Sequence, residues 1–133
     1  HTIIRRTNGR PCGCGRNGCL EAYTSATGVA RTAKELLESR KEASLLRELD
    51  INNITWKDVY DAAVQGDVLA LEIFEYTGRL LGEACADFIA FSSPEAIILF
   101  GGLTRSGKYI YDPIKEHMEA NLLPIYRNKV KLF

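Results

Sequence analysis

Residues 11–21 read PCGCGRNGCLE, and this stretch brings three of the four cysteines of the chain within eight positions of one another. The glycines that separate Cys12, Cys14 and Cys19 allow a short backbone to turn tightly. Three thiolates this close repel one another unless a soft divalent cation or a disulfide removes the charge. Because cysteines in a C-x-C pattern bridge poorly, the spacing favours a metal over a disulfide or a glycine-rich turn with reduced thiols.

A zinc ion takes four nitrogen or sulfur ligands, so a fourth residue must complete this site. The chain has two histidines. His1 precedes Cys12 by eleven positions, across a turn predicted at Asn8-Gly9, whereas His117 lies far downstream in an amphipathic segment. We therefore predict a Cys3His site that contains His1, with a residual tag histidine at position 1 as the alternative.

Composition limits the function classes. The chain of 133 residues is 46% hydrophobic, enough for the core of one domain. Its 17 basic and 17 acidic residues leave no net charge, so we expect neither a nucleic-acid partner nor an anionic membrane. No apolar run approaches the roughly 18 residues of a spanning helix, and no signal peptide is visible. The clustered cysteines favour a reducing compartment, and we expect a cytoplasmic protein.

Hydrophobic periodicity predicts helices in the middle of the chain and strands nearer its ends. The predicted elements are a strand over 2–6, a helix from Cys19 that breaks near Thr27-Gly28, a helix over 56–65, a long helix after Asp67, a strand over 95–100 and a strand from Lys129. Thr55 and Asp58 form a capping pattern before the second of these helices. The apolar run over 95–100 predicts a strand buried on both faces, which is typical of an α/β layer structure.

Gly101-Gly102 follows that strand directly. The string from Gly102 to Lys108 fits most of a phosphate-binding P-loop, but Tyr109 stands where that loop needs a Ser or Thr hydroxyl for Mg²⁺. We therefore reject a P-loop. Two interpretations stay open: a diglycine that lets a nucleotide approach the backbone, or a simple tight turn into a helix.

The order of these motifs resembles the signature of the ROK family of repressors, open reading frames and sugar kinases, in particular its bacterial glucokinase branch. The resemblance starts with His1, the CGCGRNGCLE run over 12–21 and the YTSATG run over 23–28. It continues with AAVQGD over 62–67, PEAII over 94–98 and Gly101-Gly102, so it covers essentially the whole chain.

The resemblance implies an α/β fold that forms part of the C-terminal lobe of an actin-like, ribonuclease-H-like ATPase. Residues 1–21 would form a zinc loop and residues 22–133 the α/β body. The start without Met and the end within a predicted strand lead us to expect a fragment that lacks the N-terminal lobe. Carried over by position, the zinc ligands are His1, Cys12, Cys14 and Cys19, the sugar-binding residues are His1 and Glu21, and the nucleotide-binding residues are Gly101, Gly102 and Thr104.

The resemblance also implies a function for the full-length parent. It would transfer the γ-phosphoryl group of Mg-ATP to a hexose, glucose at its 6-hydroxyl being the expected substrate, as a homo-oligomer (dimer or tetramer). The family's catalytic aspartate lies in the missing N-terminal part, so we assign no catalytic residue here and expect the chain alone to be inactive. The alternatives are the effector-binding part of a sugar-responsive ROK repressor and a zinc-binding interaction module without a sugar site.

Overall fold

Five α-helices and a short parallel strand pair make up the regular structure of the chain. The computed structural model describes all residues, His1–Phe133. The α-helices are α1 (Glu21–Thr24), α2 (Ala26–Ser39), α3 (Trp56–Val64), α4 (Val68–Ser92) and α5 (Lys108–Asn121); the strands are β1 (Ala96–Ile97) and β2 (Lys131–Leu132); and 3₁₀ helices span Leu45–Glu48, Gly102–Ser106 and Pro124–Tyr126. None of the helices combines the length and the apolar character that crossing a bilayer requires.

The junction between α3 and α4 follows the predicted capping signals. The Thr55 hydroxyl accepts a hydrogen bond from the Asp58 amide, and the Asp58 carboxylate accepts one from the Thr55 amide, which completes a capping box. Gly66 ends the turn after α3 with a φ of 83°. Asp67 then accepts from the Ala70 amide and caps α4. These local predictions are confirmed.

The core is centred on α4, the longest helix at 25 residues, which packs along α5. Ile73 and Ile89 of α4 and Ile114 of α5 are fully buried, at 0% exposure. Gly78 and Gly82, one turn apart on α4, allow the α5 backbone to approach closely. This crossing holds the α5 end of the chain against the rest of the core.

β1, α5 and β2 form a parallel crossover unit in which Ala96 pairs with Lys131 and Ile97 with Leu132. The predicted parallel strand is present, but the prediction that it spans 95–100 and is buried on both faces is wrong. Its regular part is only two residues long, Ile98 is 75% exposed and Phe100 is fully exposed. The physical reason is that β1 has a single strand neighbour, and no other layer of the described chain covers these two side chains.

The predicted strand over 2–6 is also wrong. Ile3 forms one isolated antiparallel bridge with Cys19, and the amides of Ile4 and Arg5 both donate to the single carbonyl of Gly18. A ladder cannot continue where two successive amides share one acceptor. The segment nevertheless turns near Asn8, whose φ is 52°, and returns over the cysteine loop as predicted.

The predicted break in the second element lies at Ser25, two residues before Thr27. Ser25 is extended and its hydroxyl accepts from the Gly28 amide, so it serves as the N-cap of α2. Serine is a preferred N-cap residue, which explains why the break occurs there rather than at the glycine. The result is a short α1 that meets α2 at an elbow.

Candidate functional site

The four predicted metal ligands lie together. One side-chain ligand atom from each of His1, Cys12, Cys14 and Cys19 lies within 4.8 Å of every other. The Cys12 Sγ to His1 Nδ1 and Cys14 Sγ to Cys19 Sγ distances are both 3.5 Å. A tetrahedral zinc with Zn–S bonds near 2.3 Å places its sulfurs about 3.7 Å apart, so this donor set fits zinc. His117 lies elsewhere, where it contacts Glu75 of α4.

Main-chain contacts hold the cysteine loop in shape. The Cys12 amide donates to the Arg16 carbonyl at 2.9 Å, and the Gly15 amide donates to the Cys12 carbonyl at 3.0 Å. Gly18, with φ of 80°, lies against residue 5, and a Cβ added there would be 1.8 Å from the Arg5 carbonyl oxygen. Only glycine fits this position, so the backbone itself brings the last cysteine to the first residues of the chain.

The thiols of the loop differ in acidity. Hydrogen bonds from the main-chain amide of Arg16 and then from its guanidinium lower the pKa of Cys14 to about 6. Burial, with hydrogen bonds to Cys14 and Cys12, raises the pKa of Cys19 to about 11. Cys14 is therefore the thiolate at neutral pH, and a thiolate is the form of cysteine that binds metals.

The two residues expected to bind sugar are in direct contact. His1 Nδ1 lies 2.8 Å from Glu21 Oε2, and their side chains are 51% and 53% exposed. Arg16 Nη2 donates to the His1 carbonyl at 2.6 Å, which fixes the main chain of His1 over the loop. The cluster of predicted metal ligands thus ends at a solvent-accessible histidine and carboxylate.

A cleft of about 570 Å³ begins at this pair and extends to the loop after β1. Its polar lining includes His1, Glu21 and Thr104. Leu81 and Phe88 of α4 contribute to the apolar wall. The volume is in the range of small-molecule sites, and the mixture of apolar walls with a few polar groups is typical of them. The cleft therefore includes both predicted sugar residues and one of the three predicted nucleotide residues.

The nucleotide candidates are only partly in the cleft. Thr104 lines it and donates its hydroxyl to the Gly101 carbonyl at 2.7 Å, whereas Gly101 and Gly102 lie outside the lining. Gly102 faces the indole of Trp56, 3.6 Å from where its Cβ would be. The ring of Tyr109 packs near Tyr60 and Phe74, at centroid distances of 5.8 and 6.3 Å. Position 109 is therefore occupied by a packed aromatic ring, consistent with the rejection of a P-loop.

The sequence analysis missed three hydroxyl residues that line the same cleft, Thr2, Thr24 and Ser25. A signal was present for one of them. Thr24 follows Glu21 by three positions within α1, the spacing that places side chains on one face of a helix, whereas Ser25 lies at the extended elbow between α1 and α2. Thr24 is therefore a candidate to share a ligand with Glu21.

The sequence analysis also missed Arg10, which is only 8% exposed. Its guanidinium contacts residues on α1 and α2, among them Thr32 and Glu35. The signal was the spacing of Gly28, Thr32 and Glu35, which places a small residue and two polar ones on one stripe of α2. A polar stripe on a partly buried helix face requires a buried partner.

Comparison with known proteins reveals close relatives. The family model described as "ROK family" matches residues 1–131. The glucokinase of Halalkalibacterium halodurans is 39% identical over 125 residues, a match that covers 93% of this chain and 38% of the relative. The chain thus spans less than two fifths of the length of this curated protein.

Solved structures of ROK family proteins are also similar to this chain. The structure of a ROK family glucokinase from Streptomyces griseus in complex with glucose and AMPPNP matches with a TM-score of 0.88 and 30% identity, over 100% of this chain and 44% of that one. A ROK family transcriptional regulator, a homologue of the Escherichia coli MLC protein, matches with a TM-score of 0.83 and 30% identity, over 99% of this chain and 32% of that one. The expected α/β, actin-like ATPase fold is confirmed.

Proposed function

Because this chain belongs to the ROK family, we propose that it is part of the C-terminal lobe of a sugar kinase, with a zinc loop over 1–21 and an α/β body over 22–133. The full-length parent transfers the γ-phosphoryl group of Mg-ATP to a hexose, with the 6-hydroxyl of glucose as acceptor. The observation that carries this proposal is the His1–Glu21 contact, which lines the same cleft as residues of the loop after β1. Similarity to a glucokinase at 39% identity supports the choice of reaction.

The sugar end of the cleft depends on a rigid carboxylate and imidazole. His1 Nδ1 lies between Cys12 Sγ, at 3.5 Å, and Glu21 Oε2, at 2.8 Å, so Nε2 remains available for a sugar hydroxyl. The Glu21 carboxylate, directly after the last cysteine turn, accepts hydrogen bonds from further hydroxyls. His1, Cys12, Cys14 and Cys19 would hold the zinc, whose contribution when bound is structural, since four protein ligands leave no open position for substrate.

The nucleotide end would use the loop after β1. We assign Gly101 and Gly102 to close approach of the nucleotide to the main chain, and Thr104 to a polar contact from the cleft wall. Loops at the carboxyl ends of parallel strands are frequent ligand sites in α/β folds, which supports this assignment.

The catalytic base is not assigned within residues 1–133. Phosphoryl transfer depends on positioning and charge stabilisation around the γ-phosphate, so a half-site should not catalyse it. We therefore propose that the chain alone has no kinase activity, and that the parent acts as a homo-oligomer. ATP and reduced thiols are ordinary cytoplasmic conditions, so we place the parent in the cytoplasm.

A sugar-responsive repressor is the second candidate, favoured by the match to a ROK transcriptional regulator. A repressor would use the same zinc loop and sugar pocket and join them to a DNA-binding domain. The upstream sequence discriminates the two: an Asp-Gly-Thr loop followed by a catalytic aspartate indicates a kinase, and a helix-turn-helix indicates a repressor.

Glu21→Gln in the full-length protein tests the sugar site. Loss of charge-assisted hydrogen bonds worth about 1.5–3 kcal/mol should raise the glucose Kd by about 10-fold or more in calorimetric titration. Zinc content and ATP affinity should stay unchanged. Weaker glucose binding with unchanged zinc content would distinguish a sugar site from a zinc-binding interaction module that has none. The matched control is Glu38→Gln, which alters an exposed carboxylate on α2. A glucose Kd equal in Glu21→Gln and the control would show that the pocket assignment is wrong.

A further inference from the structure

Arg10 is the single charged side chain among the buried residues of the chain. It precedes the first cysteine of the loop by two positions, and it is absent from the lining of the cleft. A buried cation is costly unless it is paired and hydrogen-bonded, so its contacts indicate why this position holds an arginine.

The guanidinium of Arg10 connects the two helices at the elbow. Nη1 donates to the Ala22 carbonyl of α1 at 3.2 Å and to the Gly28 carbonyl of α2 at 3.3 Å. These acceptors lie on either side of Ser25, where the chain changes direction. One planar group therefore sets the angle between α1 and α2.

The remaining donors extend along α2. Nη2 donates to Thr32 Oγ1 at 3.0 Å and to Glu35 Oε2 at 2.6 Å, and Nε donates to Glu35 Oε1 at 3.2 Å. Together with the two carbonyls these contacts match the five N–H donors of a guanidinium. Lysine has three donors around one atom and cannot bridge this set.

Arg10 also holds α1 from a second direction. Its Cζ lies 4.5 Å from the centroid of the Tyr23 ring, a cation–π distance. Its main-chain amide donates to the Tyr23 hydroxyl at 3.0 Å. Tyr23 lies two residues after Glu21 on the four residues of α1, so a shift of this ring moves the carboxylate as well.

We propose that Arg10 is a positioning residue of the sugar site: it fixes α1, and with it Glu21, against the cysteine loop that ends at His1. The inference rests on the proposed function, in which Glu21 binds the sugar. A displacement of about 1 Å in a binding group can cost about 100-fold in rate, so the loss of this clamp is measurable without any contact between Arg10 and substrate.

Arg10→Lys in the full-length protein tests the proposal, since it keeps the charge and removes the bridging geometry. Glucose Kd should rise about 10-fold or more, because a displaced Glu21 loses its charge-assisted hydrogen bonds to sugar hydroxyls, while ATP Kd changes less than about twofold and zinc content stays at one per chain. The matched control is Arg40→Lys at the other end of α2, where Arg40 makes charged contacts with Glu42 and Glu72 away from the cleft. The control should leave both affinities unchanged.

Hydrogen exchange supplies a readout that does not depend on sugar. The amides of Thr24 and Ser25, bonded to the carbonyls of Leu20 and Glu21, should exchange about 10-fold faster in Arg10→Lys, with α3 unchanged. Equal weakening of glucose and ATP binding, an equal effect of Arg40→Lys, or unchanged exchange at α1 would overturn the proposal. If the unmodified protein binds no glucose, the proposed function fails, and the exchange experiment still decides whether Arg10 fixes α1.

Discussion

The crossing of α4 and α5 predicts the effect of adding one methyl group at Gly82. A Cβ at this position would lie 2.5 Å from the Ile114 carbonyl oxygen and 2.9 Å from the Met118 amide nitrogen. Both are main-chain atoms of α5, so no rotamer change relieves the contact. Ordinary contact distances of about 3.4 Å or more require α5 to move by about 1 Å, which disturbs a fully packed interface.

Two terms of opposite sign decide the stability of Gly82→Ala. Alanine is favoured over glycine in a helix interior by about 1 kcal/mol. Overpacking a core costs about 1–3 kcal/mol, and the upper value applies because backbone must shift rather than a side chain. Ile114 and Met118 are 0% and 1% exposed, so the movement affects well-buried contacts. We expect a net loss of about 2 kcal/mol.

Urea unfolding of the chain, followed by far-UV circular dichroism in zinc-containing buffer, measures this loss. With a slope near 1.5 kcal/mol/M, the midpoint should fall by about 1.3 M without a change in slope. Gly13→Ala controls for the added methyl group alone, because a Cβ there meets no atom within 4 Å; it lies in the cysteine loop, outside the helices, and so lacks the helix-propensity gain. The reasoning is refuted if Gly82→Ala equals the original chain in stability or exceeds it by the propensity gain of about 1 kcal/mol.

Three further predictions concern caps and the metal loop. Thr55→Ala removes the N-cap of α3 and should cost about 1 kcal/mol in the same unfolding assay. Burial raises the pKa of Asp67, but hydrogen bonds from Ala70, Leu45 and Ser44 outweigh it, so the net pKa of this carboxyl lies below the usual range of an aspartate. The stabilisation that the ionised Asp67 carboxylate gives the folded state is therefore present above about pH 4 and is lost as the pH falls through the lower folded pKa. We expect Asp67→Asn to destabilise the chain at pH 7. Below about pH 4 its free energy of unfolding should fall less steeply with pH than that of the original chain. Cys14→Ser should reduce metal content below about half a zinc per chain, whereas Cys85→Ser, which alters a buried thiol of α4, should retain it.

Short-range chemistry made part of this structure predictable. The capping box at Thr55, the stop at Gly66 and the cap at Asp67 depend on residues within three or four positions of one another, so sequence alone specifies them. The three cysteines of the predicted metal site were predictable for the same reason, because they lie within eight positions of one another. His1 needed one further inference, that the first residues turn back over the loop.

Long-range contacts explain what the sequence did not predict. The apolar run over 95–100 has the composition of a buried strand, but burial depends on how many neighbours flank β1, and Phe100 is exposed. Arginine is a residue type that is mostly exposed, and Arg10 is buried only because it contacts residues 12 to 25 positions away. The cleft likewise joins Glu21 to Thr104 across the fold, which no local pattern encodes.

The compactness of the cysteine loop has a consequence for the order of synthesis. All four predicted metal ligands lie within residues 1–19, and the contacts of Arg10 end at Glu35, while α5 begins at Lys108, 89 positions after Cys19. A ribosome adds about 5–20 residues per second, so these early residues precede α5 by about 4–18 s. Loops of about ten residues close in about 10–100 ns. The loop that we propose to bind zinc can thus form on the nascent chain before α5, which contributes Ile110 and Ile114 to the lining of the cleft, has been made.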